Sequence, residues 1–179
     1  LEDKERLAEF YRNQGYIDFD LRQVETEFPT TNTMILRFHV FEGRQYKVGT
    51  VDFKGVTLFS TNQILDAMRM KVGEIFTPRG LTRDLEAIQD VYGTRGYIDA
   101  RVLARRNANI LTGNMDLLYE IEERDQSYIE KIEIKGNTKT KDNVIRRELA
   151  VHPGETFDMV RVKVIKSRLE QMQYFDKVE

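Results

Sequence analysis

The chain has 179 residues, 40% hydrophobic and 32% charged, which fits a globular chain and excludes a disordered one. Its 28 basic and 30 acidic residues leave a net charge of −2, so it carries no general attraction for nucleic acid or anionic lipid. It holds no cysteine, which removes disulfide and thiol chemistry, and no apolar run approaches the roughly 18–20 residues that span a bilayer.

The first stretch, "LEDKERLAEFY", is charged and amphipathic, the pattern of a helix rather than of a signal peptide. Gly15 ends it in "NQGYIDFDL", and strands follow over 19–25 and through Met34, Leu36, Phe38 and Val40. The same turn returns as "TRGYIDARV", with Gly96 following Gly15 by 81 residues. That offset holds widely: Met34, Leu36, Phe38, Val40 and Glu42 fall on Met115, Leu117, Tyr119, Ile121 and Glu123. Val48, Val51, Phe53 and Gly55 fall on Ile129, Ile132, Ile134 and Gly136. A shared register of this extent is a tandem repeat.

One whole unit is legible between 46 and 125. "YKVGTVDFKG" alternates and stops at a glycine, so it predicts a strand. Ser60 with Gln63 forms a capping-box pattern ahead of Ile64, Leu65 and Met68, a short helix that stops near Gly73. Thr77-Pro78 is an N-cap and first-turn pair for a second helix with Leu81, Leu85, Ile88 and Tyr92 on one stripe. Gly96 ends that helix at positive φ. "DARVLARR" and "NMDLLYEIEE" predict two strands joined at "NILTGN". The order is β-α-α-β-β, an α+β unit with two helices packed on a three-stranded mixed sheet. The third strand is central, parallel to the first and antiparallel to the second, so the second is an exposed edge. Three units divide the chain: a partial one over 1–44 (second helix and hairpin), a complete one over 45–125, and a partial one over 126–179 (first strand and two helices). The third copy of the turn, "MQYFDKVE", has Gln173 in place of glycine and needs a different helix end.

Chemistry-bearing clusters are thin. His39 and His152 lie far apart without partners at metal-ligand spacing, and His39 falls on the polar phase of a strand. The carboxylates of "EIEERD" (120–125) read as a solvated strand end rather than as an acid–base pair. "GNTKTKDN" lacks the second glycine of a phosphate loop, and reads as a strand-to-helix turn with Lys139 and Lys141 in water. Arg101, Arg105 and Arg106 make a basic strand, without the GxxG clamp or stacking aromatics that nucleic-acid binding needs. The expectation is no catalysis, no metal and no cofactor.

"VFEGRQYKVGTVDFKG" (40–55), "FTPRGLTRDLEAIQDVYGTRGY" and "GYIDARV" resemble the POTRA repeats of the BamA family of outer-membrane protein assembly factors. Glu42-Gly43 closing one unit and Tyr46-x-Val48-Gly49 opening the next match that family's junction. "GNTKTKDNVIRREL" is most similar to the repeat next to the membrane barrel, which makes the units the third, fourth and fifth of five. The resemblance implies a periplasmic, non-catalytic module of an outer-membrane protein. Its expected partners are unfolded outer-membrane protein precursors and accessory assembly lipoproteins, with membrane attachment only through a C-terminal barrel absent from this chain. Related secretion or translocation transporters and a division protein share the repeat and are the alternative reading.

The exposed edges predict β-augmentation by an extended client, with Phe19, Leu21 and Gln23 on one edge and Arg101, Leu103 and Arg105 on the other. Arg146 and Arg147, on the first helix of the last unit, are expected to dock an accessory protein. Each end unit lacks part of the pattern, and self-association is expected if the β-α-α of one chain completes on the hairpin of another.

Overall fold

The structure is a computed structural model that describes residues 2–172, 174, 175 and 177–179. Five helices and five strands appear among these residues: α1 (Glu2–Asn13), β1 (Asp20–Thr30), β2 (Thr33–Phe41), β3 (Lys47–Lys54), α2 (Thr61–Ala67), α3 (Pro78–Gly93), β4 (Arg101–Asn109), β5 (Asn114–Glu122), α4 (Asp142–Glu148) and α5 (Met159–Gln171). The capping chemistry read from the sequence is in place. Ser60 N–H donates to Gln63 Oε1 at 3.0 Å while Gln63 N–H donates back to Ser60 Oγ at 3.3 Å, which starts α2. Thr77 Oγ1 accepts from Gly80 N–H at 2.9 Å, which starts α3.

Compact packing divides the chain into two units that cut across the sequence repeats. The first gathers Leu1–Lys54, Met68–Leu85 and Leu103–Glu120; the second gathers Gly55–Ala67, Glu86–Val102 and Ile121–Glu179. In the first, β1 and β2 form an antiparallel pair, with Leu21 opposite Val40 and Gln23 opposite His39, so Arg22 is a bulge. The other sheet has the order β3-β5-β4, and β3 runs parallel to β5 as the connectivity requires. Phe53 of β3 stacks on Tyr119 of β5 at 5.6 Å. The alternating side chains Met115, Leu117, Tyr119 and Ile121 are buried along one face of β5.

One charged residue sits inside this core. Asp84 lies three residues after Leu81 on the apolar stripe of α3 and is fully buried. Its carboxylate accepts from Arg69 N–H at 2.7 Å and from Met70 N–H at 3.3 Å, tying down the chain that leaves α2. Burial pushes its pKa above the usual value, against the pull of those two N–H groups and of Lys71 and Arg69. The hydroxyl of Tyr119 is buried without a hydrogen-bond partner, and burial followed by the charge of Asp84 raises its pKa.

In the second unit Ile145, Ile165 and Leu169 form a small core with Ile134, Leu149 and Phe175 around it. The helices of the last repeat form as expected, but its predicted first strand does not: residues 129–135 adopt no strand. A strand needs a ladder partner; β3 has β5, whereas here the only pairing among the described residues is an isolated bridge between Tyr128 and Thr156. The third glycine-like turn falls on Gln173, outside the described residues.

Candidate protein-interaction edge

The tandem glycines do more than end helices. Gly15 and Gly96 adopt φ of 91° and 87°, and each carbonyl accepts from the linker that opens the following repeat. Tyr46 N–H donates to Gly15 O at 2.9 Å and Ser127 N–H donates to Gly96 O at 2.9 Å. Gln45 Nε2 reaches Gln14 O at 2.8 Å, and Gln126 Nε2 reaches Arg95 O at 2.7 Å. A Cβ on Gly15 would stand 2.6 Å from Ile75 Cγ2, and one on Gly96 2.5 Å from Thr156 Cγ2. The turn is glycine because the next repeat approaches it closely.

From the second of these turns the chain enters β4. Ala100 and Val102 are buried, while Arg101, Leu103, Arg105 and Arg106 face outward. Leu103 is 65% exposed, between the two arginines. Because β5 occupies one side of β4 and, among the described residues, no strand occupies the other, β4 offers one free row of N–H and C=O groups. The opposite rim is less open: the start of β3 is bridged at Lys47 by Ile75, and Val48 N–H donates to Glu74 O. On the outer face Glu120 of β5 binds Arg105 Nε at 2.7 Å and lies 3.5 Å from Lys54 Nζ. The hydrogen bond from Arg105, more than any other group, holds the Glu120 pKa below the usual carboxylate value.

The edge on β1 is less regular. Phe19, expected there, precedes the strand and is only 5% exposed, because its ring stacks on Tyr11 at 4.2 Å. It is a core residue, and its side chain is not offered to a partner. Leu21 is half-buried, Gln23 is exposed, and the bulge at Arg22 kinks the strand between them. Arg22 lies over the Phe41 ring at 4.5 Å. On α4, Arg146 is held by Asp142 at 2.6 Å and by Ile132 O at 3.2 Å, whereas Arg147 is exposed.

Sequence reasoning missed the role of Glu123, one of the carboxylates read as solvated. It accepts from Thr57 N–H at 3.0 Å, Leu58 N–H at 3.1 Å, Tyr92 Oη at 2.7 Å and the Thr57 hydroxyl. Burial acts to raise its pKa, but the Thr57, Tyr92 and Leu58 hydrogen bonds together bring it below the usual value. The repeat carried the signal: Tyr11 and Glu42 stand 81 residues before Tyr92 and Glu123. The same bond between them, followed by burial, raises the Tyr11 pKa.

An open groove of about 340 Å³ lies in the last repeat, lined by Ile132, Ile134, Ile145, Leu149, Phe175 and Val178 among others. Its charged rim includes Glu133, whose pKa is held down by Lys131 and Lys135. Among the described residues, no three His, Cys, Asp or Glu side chains converge as a metal site. His39 is a surface residue 3.3 Å from Glu25. No helix among the described residues is long and apolar enough to cross a membrane.

Comparison with known proteins follows the same lines. The family model of POTRA, described as surface antigen variable number repeat, matches residues 46–124 and 127–179. The outer membrane protein assembly factor BamA of Neisseria meningitidis serogroup B is 30% identical over 99% of this chain and 23% of its own length. A putative outer membrane protein assembly factor of Treponema pallidum is 28% identical over 98% of this chain and 22% of its own. The chain thus spans less than a quarter of the length of these relatives. Among solved structures, Haemophilus influenzae BamA POTRA3-5 superposes with a TM-score of 0.72 at 20% identity, covering 99% of this chain and 71% of that one. BamA from Haemophilus ducreyi lacking POTRA domains 1–3 gives a TM-score of 0.65 at 27% identity, over 75% of this chain and 25% of that one. The chain belongs to the POTRA repeat family, and the repeats it matches are those of BamA assembly factors.

Proposed function

We propose that this chain is a periplasmic scaffold region of an outer-membrane protein that assembles β-barrel proteins, and that it holds unfolded clients by adding their strands to the free edge of β4. The observation that carries this reading is the strand order β3-β5-β4, which among the described residues leaves the outer side of Arg101–Asn109 without a paired strand. Main-chain pairing is tolerant of client sequence, and each bond contributes only about 0.5–1.5 kcal/mol net. Such weak, general binding suits a scaffold that receives many clients and releases them. Leu103 offers an apolar cross-strand contact to one apolar residue of an alternating barrel strand. The three units are then consecutive repeats of a longer array, divided near 44 and 125, and the similarity to BamA lacking its first three POTRA domains supports placing the last two next to a barrel. Accessory lipoproteins are assigned to α4, and no catalytic step is assigned.

Proline scanning of the edge tests this. Successive amides on a strand point to opposite sides, so of Leu103→Pro and Ala104→Pro one removes only an outward donor and the other breaks the ladder to β5. Binding of a synthetic alternating ten-residue barrel strand is expected to fall at least five-fold in the variant that keeps wild-type stability. Undiminished binding by that variant would refute the edge as the client site.

A further inference from the structure

We infer that the free edge of β4 sorts its clients by charge, holding strands whose polar positions are acidic in preference to strands whose polar positions are basic. The inference rests on the reading of β4 as the client edge and names the class of strand that this edge selects. Between its ends β4 carries Arg101, Arg105 and Arg106 and no acidic residue. Strand alternation puts Arg105 on the outer face with Leu103, and Arg106 on the face of Val102 and Ala104. Both arginines are exposed. An added strand lies about 4.8 Å from β4, so each of its faces meets an arginine across the pair and neither meets an acid.

The acids on the outer face of β5 stand one strand further back, and they are already engaged. Glu120 accepts from Arg105 Nε at 2.7 Å and lies 3.5 Å from Lys54 Nζ. Asp116 accepts from Thr50 N–H at 2.8 Å, and Glu122 pairs with Arg124. Arg105 binds Glu120 through Nε, which leaves its two terminal nitrogens to an incoming carboxylate. Arg106 has no hydrogen bond or ion pair among the described residues. Exposed charge pairs contribute little and fade with salt, so they bias which strand stays without replacing the main-chain pairing that holds it. The whole chain carries a net charge of −2, so its overall field disfavours an acidic strand and only these local arginines favour one. The same arginines repel a second β4 edge, which keeps like edges from pairing.

Three synthetic barrel strands that share their alternating apolar residues test the sorting. Their polar positions hold threonine alone, threonine with aspartate, or threonine with lysine. Fluorescence anisotropy at about 0.1 M salt, where charges act over about 10 Å, is expected to show the aspartate strand binding at least five-fold more tightly than the lysine strand. The threonine strand should fall between them. At about 1 M salt, where that range shrinks to about 3 Å, the ratio should approach one. Arg105→Gln with Arg106→Gln is expected to abolish the ratio as well and to leave the threonine strand bound as before. Arg106→Gln alone removes no bond of the fold, so its smaller ratio gives a reading even if the double variant does not fold. Equal affinity for the aspartate and lysine strands, with the threonine strand bound, leaves the client edge standing and overturns the sorting. A preference that survives the arginine substitutions overturns it too. Failure of all three strands to bind overturns the client edge itself, and the sorting with it.

Discussion

Asp84 and Glu123 are two carboxylates whose environments push them in opposite directions, and stability should record both. Asp84 is raised by burial, so it contributes most below the unfolded value of about 3.9 and loses that contribution as pH climbs through its folded pKa. Asp84→Asn keeps an acceptor for Arg69 N–H and removes the buried charge, so its stability relative to the parent should improve as pH rises above about 4. Glu123 is lowered, so its contribution is full at neutral pH and fades as pH falls through its folded value. Glu123→Gln should cost about 1–2 kcal/mol at pH 7 and progressively less in acid. Urea midpoints measured from pH 3 to 8 check both; parallel curves for the two variants would contradict these assignments. Neither role was legible from residue type. A single aspartate in an apolar stripe reads as a flaw in the pattern until the N–H groups of Arg69 and Met70 are found on it, and only the 81-residue repeat, which sets Glu42 against Glu123 as it sets Tyr11 against Tyr92, separates Glu123 from its exposed neighbour Glu122.

Elements were legible where local chemistry decides them. Ser60–Gln63, Thr77-Pro78 and the positive-φ glycines each specify a boundary within a few residues, and the alternation of Met115 to Ile121 specifies which face of β5 is buried. Features that depend on a distant partner were not: the predicted strand over 129–135 lacks a ladder, the bulge at Arg22 arises from pairing with β2, and Phe19 is buried by Tyr11. The same distinction separates the two arginines on α4. Arg146 supports its own helix through Asp142 four residues earlier, so reversing it would set two carboxylates together and weaken α4. Arg147 is the informative position. Arg147→Glu should weaken capture of an accessory lipoprotein about two- to five-fold, the scale of an exposed charge contact, and leave the alternating peptide bound as before. Pull-down with quantified recovery checks it, and unchanged recovery would remove Arg147 from that surface.

For the whole molecule, the repeat explains both the recurring turn and the compact units that cut across it. Each glycine turn is bonded to the repeat that follows, so each junction lies inside one compact unit. Of the two edges β4 is the more regular, because β1 is bulged at Arg22. The central claim is that an extended client pairs with β4. Amide hydrogen exchange with and without a saturating alternating barrel-strand peptide tests it residue by residue. The predicted result is new protection at every second amide between Arg101 and Asn109, those on the side away from β5, with β1 little changed. Protection confined to β1 or to the groove beside Ile132 and Phe175, with β4 exchanging as it does alone, would contradict it.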